Sequence, residues 1–251
     1  MTPRSPLFSR RIHFSGSIAT DPAVATAEEV KNARDLVAAL ARELMSLGAT
    51  FVLPVDDEKL RADSQPICFD WLIWQTVHDS LARRPAGAPH PLVVAIEHHK
   101  TEDQIPPQFH TLWDDLRGSD LIQIENVSHW NMNSKRMEAQ ARFGDILITI
   151  GGTEGVLFLA NLYHDAGKPV VPLNAKVTGP ELGSRRLFSM GLSSAQAGRL
   201  FQPTSLNAHS WINRINFTAR TPLNEQVRGI INLLEALERP RAFAVRLLNP
   251  D

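Results

Sequence analysis

The sequence predicts an α/β fold: a doubly wound, mostly parallel sheet with a C-terminal helical extension. Three observations carry this reading. Short apolar runs alternate with longer segments of helical period as far as Leu173, and that alternation builds parallel strands joined by helices. The run Asp145-Ile146-Leu147-Ile148-Thr149-Ile150 is apolar at successive positions, as a strand covered by helices on both faces must be. Small-residue turns, Ser15-Gly16-Ser17 and Gly151-Gly152-Thr153-Glu154-Gly155, follow two of the predicted strands.

The elements follow in order. Ile12-His13-Phe14 is a strand feeding the first of these turns. From Thr26 to Leu47 the apolar residues Val30, Ala33, Leu36, Val37, Leu40, Leu44 and Leu47 recur at helical spacing. Thr26 and Glu29 have the spacing of a capping box, and Gly48 stands where a left-handed C-terminal cap is expected. Thr50–Val55 is a strand, Phe69–Leu81 a helix carrying Trp71 and Trp74 toward the core, and Pro91–Glu97 a strand. Pro107–Leu116, Leu121–Glu125 and Met132–Phe143 read as helix, strand and helix. Beyond Gly155 a helix runs to about Ala166, and Pro169–Leu173 is the last short strand. Pro180–Leu200 is helical in pieces, Thr204–Phe217 has no firm period, and Leu223–Leu237 is an amphipathic helix. We divide the chain into a core over residues 10–178 and a helical extension over 179–251 packed on the same domain.

Composition removes several classes. With 43% hydrophobic and 21% charged residues the chain is not of the disordered type. Its formal net charge of -1 gives no basic excess for nucleic acid. The single cysteine, Cys68, excludes a disulfide framework and any multi-cysteine metal centre. His98-His99 and His78-Asp79 lack partners at metal-ligand spacing. No apolar run has the length of a membrane span, and the first residues lack the apolar stretch of a signal peptide. The expectation is a cytoplasmic protein with no cofactor, no metal and no membrane contact.

In a parallel sheet, ligands bind beyond the carboxyl ends of the strands, where the strand order reverses. Glycine lets backbone approach a ligand closely, and a helix beginning just after such a turn aims unpaired N–H groups at an anion. Ser15, Gly16, Ser17, Gly151, Gly152, Thr153 and Gly155 are therefore candidate ligand-binding residues; the plain alternative for Gly151 and Gly152 is a tight strand-to-helix turn. Neither phosphate-loop pattern occurs, which excludes a P-loop nucleotidase and an ordinary dinucleotide dehydrogenase. Glu154 either bonds a ribose hydroxyl or occupies a first helical turn because the dipole favours an acid there. Arg142 is the candidate cation, four residues after Glu138; a surface ion pair is the plain alternative. Thr178-Gly179 is a candidate second phosphate-side loop, Trp130 a candidate wall for a base, and Lys168 a helix-terminal cation. Asp56-Asp57-Glu58 reads as a solvated loop.

The order Phe14-Ser15-Gly16-Ser17, then Gly144-Asp145 through Gly151-Gly152-Thr153-Glu154-Gly155, then Gly167-Lys168-Pro169-Val170 resembles the SLOG superfamily of Rossmann-like nucleotide-binding domains, from Ile12 to Thr178. Catalytic LOG enzymes of that superfamily carry a glutamate pair where this chain has apolar residues around Leu157 and Phe158, so their hydrolase activity is not carried over. The chain looks more like the STALD branch of bacterial antiphage proteins. That resemblance implies a non-catalytic sensor that binds ADP-ribose or cyclic ADP-ribose, forms homo-oligomers and acts on a separate effector chain in defence. The alternative is a nucleotide N-glycosidase or deoxyribosyltransferase-like hydrolase, with Glu138 or Glu154 as the acid.

Overall fold

Each apolar run up to Leu173 folds as a strand, and the segments of helical period between them fold back as helices. The structure is a computed structural model that describes residues 4–97, 101–127, 132–201 and 207–237. The core elements are β1 (Arg11–Ser15), α1 (Ala27–Ser46), β2 (Thr50–Pro54), α2 (Asp70–Asp79), β3 (Val93–Glu97), α3 (Thr101–Gln104), α4 (His110–Arg117) and β4 (Ile122–Asn126). They continue with α5 (Met132–Phe143), β5 (Ile146–Ile150), α6 (Glu154–Asp165) and β6 (Val170–Leu173). Four helices follow: α7 (Gly183–Gly191), α8 (Ser194–Leu200), α9 (Ala208–Arg214) and α10 (Leu223–Ala236).

The six strands form one sheet in the order β4-β3-β2-β1-β5-β6, and every neighbouring pair is parallel. The predicted doubly wound, Rossmann-like sheet is thus present. The chain steps outward from β1 through β4, returns to pair β5 with β1, and continues to β6. The order reverses between β1 and β5, so the two glycine turns leave the sheet side by side.

Alternation along β5 explains why it is apolar throughout. Ile146, Ile148 and Ile150 belong to the main core with α1, whereas Leu147 belongs to the core made with α5 and α6. Successive strand residues face opposite sides, and both sides are covered. Burying each of these side chains is worth roughly 1.5–3 kcal/mol. Ile230, Leu233 and Leu234 of α10 join the main core with Val37 and Leu40 of α1.

The cap at Thr26 forms as its spacing predicts: Glu29 N–H donates to the Thr26 hydroxyl at 3.2 Å, and Thr26 N–H donates to the Glu29 carboxylate at 3.0 Å. Gly48 follows the helix with φ +79°. Trp71 and Trp74 are buried, as their spacing suggests. Two expectations need correction. Pro107–Phe109 forms a 3-10 turn that leads into α4, which itself begins only at His110. The segment without a firm period contains α9, whose seven residues are too few to establish one; Ala208 and Ile212 bury its inner face. Trp130, His98 and His99 lie outside the described residues, as does the tail from residue 238.

One polar chain crosses the core. Tyr163 of α6 donates to the Gln140 carbonyl of α5 at 3.2 Å, and its oxygen lies 3.1 Å from His13 Nδ1 of β1. With the tyrosine proton committed to that carbonyl, His13 Nδ1 carries the hydrogen. Burial lowers the His13 pKa from 6.5 to about 3. Between those values the unfolded chain takes up a proton that the folded chain refuses. The contribution of the neutral ring is complete above pH 6.5 and is lost as pH falls, by up to about 1.4 kcal/mol per pH unit. Urea midpoints measured at pH 7, 5.5 and 4.5 are expected to fall less steeply for His13→Gln than for the parent chain. Parallel slopes would contradict this assignment.

Candidate active site

The two glycine turns interlock at the carboxyl edge of the sheet. Gly152 N–H donates to the Ser17 carbonyl at 2.7 Å. Gly151 and Gly152 have φ of +63° and +77°, backbone that only glycine adopts without strain. A Cβ on Gly16 would stand 1.8 Å from the Ile150 carbonyl oxygen, so no side chain fits between β1 and β5. Ser184, in the first turn of α7, fastens the same edge: its N–H donates to Gly151 O at 2.8 Å, and its hydroxyl contacts the backbone of Thr149 and Leu173.

Of the predicted residues, the fold brings together Ser15, Gly16, Ser17, Gly151, Gly152, Thr153, Glu154 and Gly155 around these two turns. Thr153 is exposed and makes no side-chain cap, and Glu154 opens α6 with its side chain toward solvent. Gly155 faces α5, where Met137 Cε lies 3.3 Å from the position a Cβ would take. Thr178 and Gly179 stand on the β6 side: Ala19 N–H donates to Val177 O at 2.8 Å, and Val177 Cγ2 abuts Gly151.

Arg142 is placed elsewhere. It occupies the last turn of α5, which returns the chain to the start of β5, the edge opposite the glycine turns. Its guanidinium lies over Phe143 and 3.8 Å from the Glu125 carboxylate. Glu138 pairs instead with Lys135 at 2.8 Å, on the exposed face. Lys168 caps a helix, but the helix is α5: its ammonium donates to Ala141 O at 2.6 Å and Arg142 O at 3.0 Å.

A charged cluster flanks the turns on the β2 side. The segment after β2 folds back over the first turn, with Ile18 N–H bonded to Ile67 O at 2.8 Å and Cys68 paired with Ser17. This brings Asp70, the first residue of α2, beside Asp56 and Arg136. Arg136 of α5 forms an ion pair with Asp56, and both side chains are largely buried. The Trp71 indole donates to Asp56 O at 3.0 Å and the Trp74 indole to Pro54 O at 3.0 Å, so buried aromatic rings fix the backbone that presents Asp56.

Burial pushes the Asp70 carboxyl from 3.8 up to about 7; Arg136 opposes the shift, and the charges of Asp56 and Glu58 add to it. Burial also raises Glu58, against Arg34 and a 3.3 Å hydrogen bond from Gln108. Cys68 is pushed up to about 12 by burial and then by the Asp70, Asp56 and Asp57 carboxylates, so it is a neutral thiol and no nucleophile. The solvated loop expected at 56–58 holds only for Asp57; Asp56 and Glu58 are partly buried. No group of three or more potential metal ligands occurs among the described residues, and none of the described helices is long and apolar enough to cross a membrane.

Sequence spacing missed Asp56, Asp70 and Arg136. Asp56 and Arg136 are eighty residues apart, and an acid opening a helix is ordinary. A cleft of about 260 Å³ between α1 and α10, lined by Leu36, Asn174 and Phe217, shares no lining residue with the glycine turns.

Interlocked glycine turns at the strand-order reversal of an all-parallel, helix-covered sheet define a Rossmann-like α/β domain. The chain belongs to the family described as "ATP nucleosidase Cap17-like, N-terminal", whose model matches residues 7–234. Among solved structures the chain is similar to the X-ray structure of TM1055, a Northeast Structural Genomics Consortium target. The identity is 18%, the alignment covers 72% of this chain and 81% of that one, and the TM-score is 0.43. Among curated proteins none matches.

Proposed function

We propose that the chain is a nucleotide N-glycosidase that releases the base from an adenine nucleotide. One observation carries this: Asp70, a carboxyl with a pKa near 7, stands beside the Asp56–Arg136 pair, two residues after the bridge that ties Cys68 to Ser17 of the first glycine turn. A group poised near neutral pH is what acid–base catalysis requires. The family description names ATP, and adenine nucleotides are the substrate class we infer from it.

In the reaction, the C1′–N bond breaks and water adds to C1′. The base departs with a proton on a ring nitrogen, and the sugar phosphate keeps the hydroxyl of the water. Protonated Asp70 supplies the proton to the base, and afterwards, ionised, takes one from the water. Asp56 sets a negative charge near the positive charge that develops at C1′, and the glycine turns offer backbone N–H groups to phosphate. Glu154, at the exposed start of α6, suits a ribose hydroxyl better than the acid role.

The sensor reading has its own support: Leu157 and Phe158 stand where catalytic LOG enzymes carry glutamates, and Phe158 is exposed. In that reading an ADP-ribose-type ligand binds intact, promotes homo-oligomers and controls an effector chain in defence. A thermal-shift panel of ATP, ADP, AMP, NAD, ADP-ribose and cyclic ADP-ribose, with free base quantified in the same wells, separates the two. A ligand at 100 times its Kd adds about 2.7 kcal/mol. Adenine release from ATP or AMP is the expected result. A shift with cyclic ADP-ribose and no base from any nucleotide would overturn the glycosidase in favour of the sensor.

A further inference from the structure

On the side of the glycine turns opposite Asp70, one more cation is held ready. Arg185, in the first turn of α7, donates from Nη1 to the Thr178 carbonyl at 2.8 Å. That bond fixes the guanidinium plane while leaving Nε–H, which is buried and has no partner among the described residues. Thr178 is 2% exposed, and its hydroxyl likewise has no partner among the described residues. A buried hydroxyl and a buried guanidinium N–H that nothing meets both carry an uncompensated desolvation cost. The two groups are brought together by the bond from Arg185 to the Thr178 carbonyl, next to Val177, which packs against the turn at Gly151. Ser184 N–H reaches Gly151 O from the same turn of α7.

We infer that Arg185 and Thr178 bind the phosphate end of the nucleotide and make the site select nucleotides over nucleosides. This rests on the nucleotide reading above. A guanidinium fixed at one nitrogen presents its remaining edge as a preorganised fork for phosphate oxygens, at less entropic cost than a free side chain. Asp70 on the β2 side and Arg185 on the β6 side set the polarity of the bound molecule: base and C1′ toward α2, phosphates toward α7.

The test uses the full chain and three variants, Arg185→Ala, Arg185→Lys and Thr178→Val, each checked by circular dichroism. Two readouts are taken: thermal shift with inorganic tripolyphosphate alone, and base release from ATP, AMP and adenosine. Arg185→Ala is expected to weaken the tripolyphosphate shift at least tenfold in midpoint concentration. It should also raise KM for ATP by 10–100-fold with kcat little changed, and leave adenosine turnover unaltered. Arg185→Lys should restore only part, since an ammonium lacks the fork, and Thr178→Val should weaken tripolyphosphate by several-fold. Equal tripolyphosphate binding by the parent chain and all folded variants would overturn the proposal, as would an equal loss on ATP and adenosine. A normal tripolyphosphate pattern with no base release would spare this subsite and overturn the glycosidase.

Discussion

Asp70→Asn is expected to abolish base release while making the protein more stable. General acid–base groups contribute about 10²–10⁴ in rate, so kcat should fall about 10³-fold with KM for ATP nearly unchanged. The stability change has the opposite sign. The carboxyl titrates near 7 in the fold and at 3.8 ordinarily, so its ionisation is more favourable in the unfolded chain. The penalty is absent below pH 3.8, grows through the interval and is complete above pH 7. Asparagine removes it, a gain on the order of 2 kcal/mol at pH 8 once relaxation around the buried charge is discounted. For a chain this long that corresponds to roughly 4–8 °C in Tm. Melting curves at pH 8 and pH 4 should diverge and then converge. A lower Tm at pH 8, or undiminished turnover, would remove Asp70 from the catalytic role.

The second large effect is expected at Gly16. An alanine there meets the Ile150 carbonyl oxygen at 1.8 Å; Gly16 follows directly on β1 and Ile150 ends β5, so the backbone cannot yield without prising apart the ends of the two paired strands. A cost of about 3–5 kcal/mol and loss of nucleotide binding are expected. Gly167→Ala is the matched control: it has φ +65°, yet nothing lies within 4 Å of its added methyl, so only the backbone term of about 1–2 kcal/mol applies. Urea midpoints compare the two directly. Equal losses at both positions would mean that the β1–β5 approach is not the constraint.

These two residues mark what was legible in the sequence. Gly16 announced itself because turn, strand and neighbouring hydroxyls are all local, and β5 did so because an apolar run on both faces has few other uses. Thr26 and Glu29 were equally local. Asp70 left no such trace: its pKa depends on Asp56, Glu58 and Arg136, which only the sheet topology assembles. Arg142 had the right residue type in a plausible spacing, but periodicity says nothing about which edge of the sheet a helix end will reach. The helix α9 was invisible for a related reason: its inner residues are defined by the walls of α7 and α8, against which they pack.

The bonds of Ser184 bear on how the domain can be cut or transplanted. A boundary drawn after Thr178 follows the end of the strand–helix alternation, and it leaves a stretch that resembles a complete module. It would nevertheless discard the serine that ties Gly151 to β5 and β6, and with it Arg185. A chimera joined at that seam would inherit the recognisable motif without the buttress that holds its turn in shape. The portable unit of this fold therefore reaches at least through α7, further than its signature residues suggest.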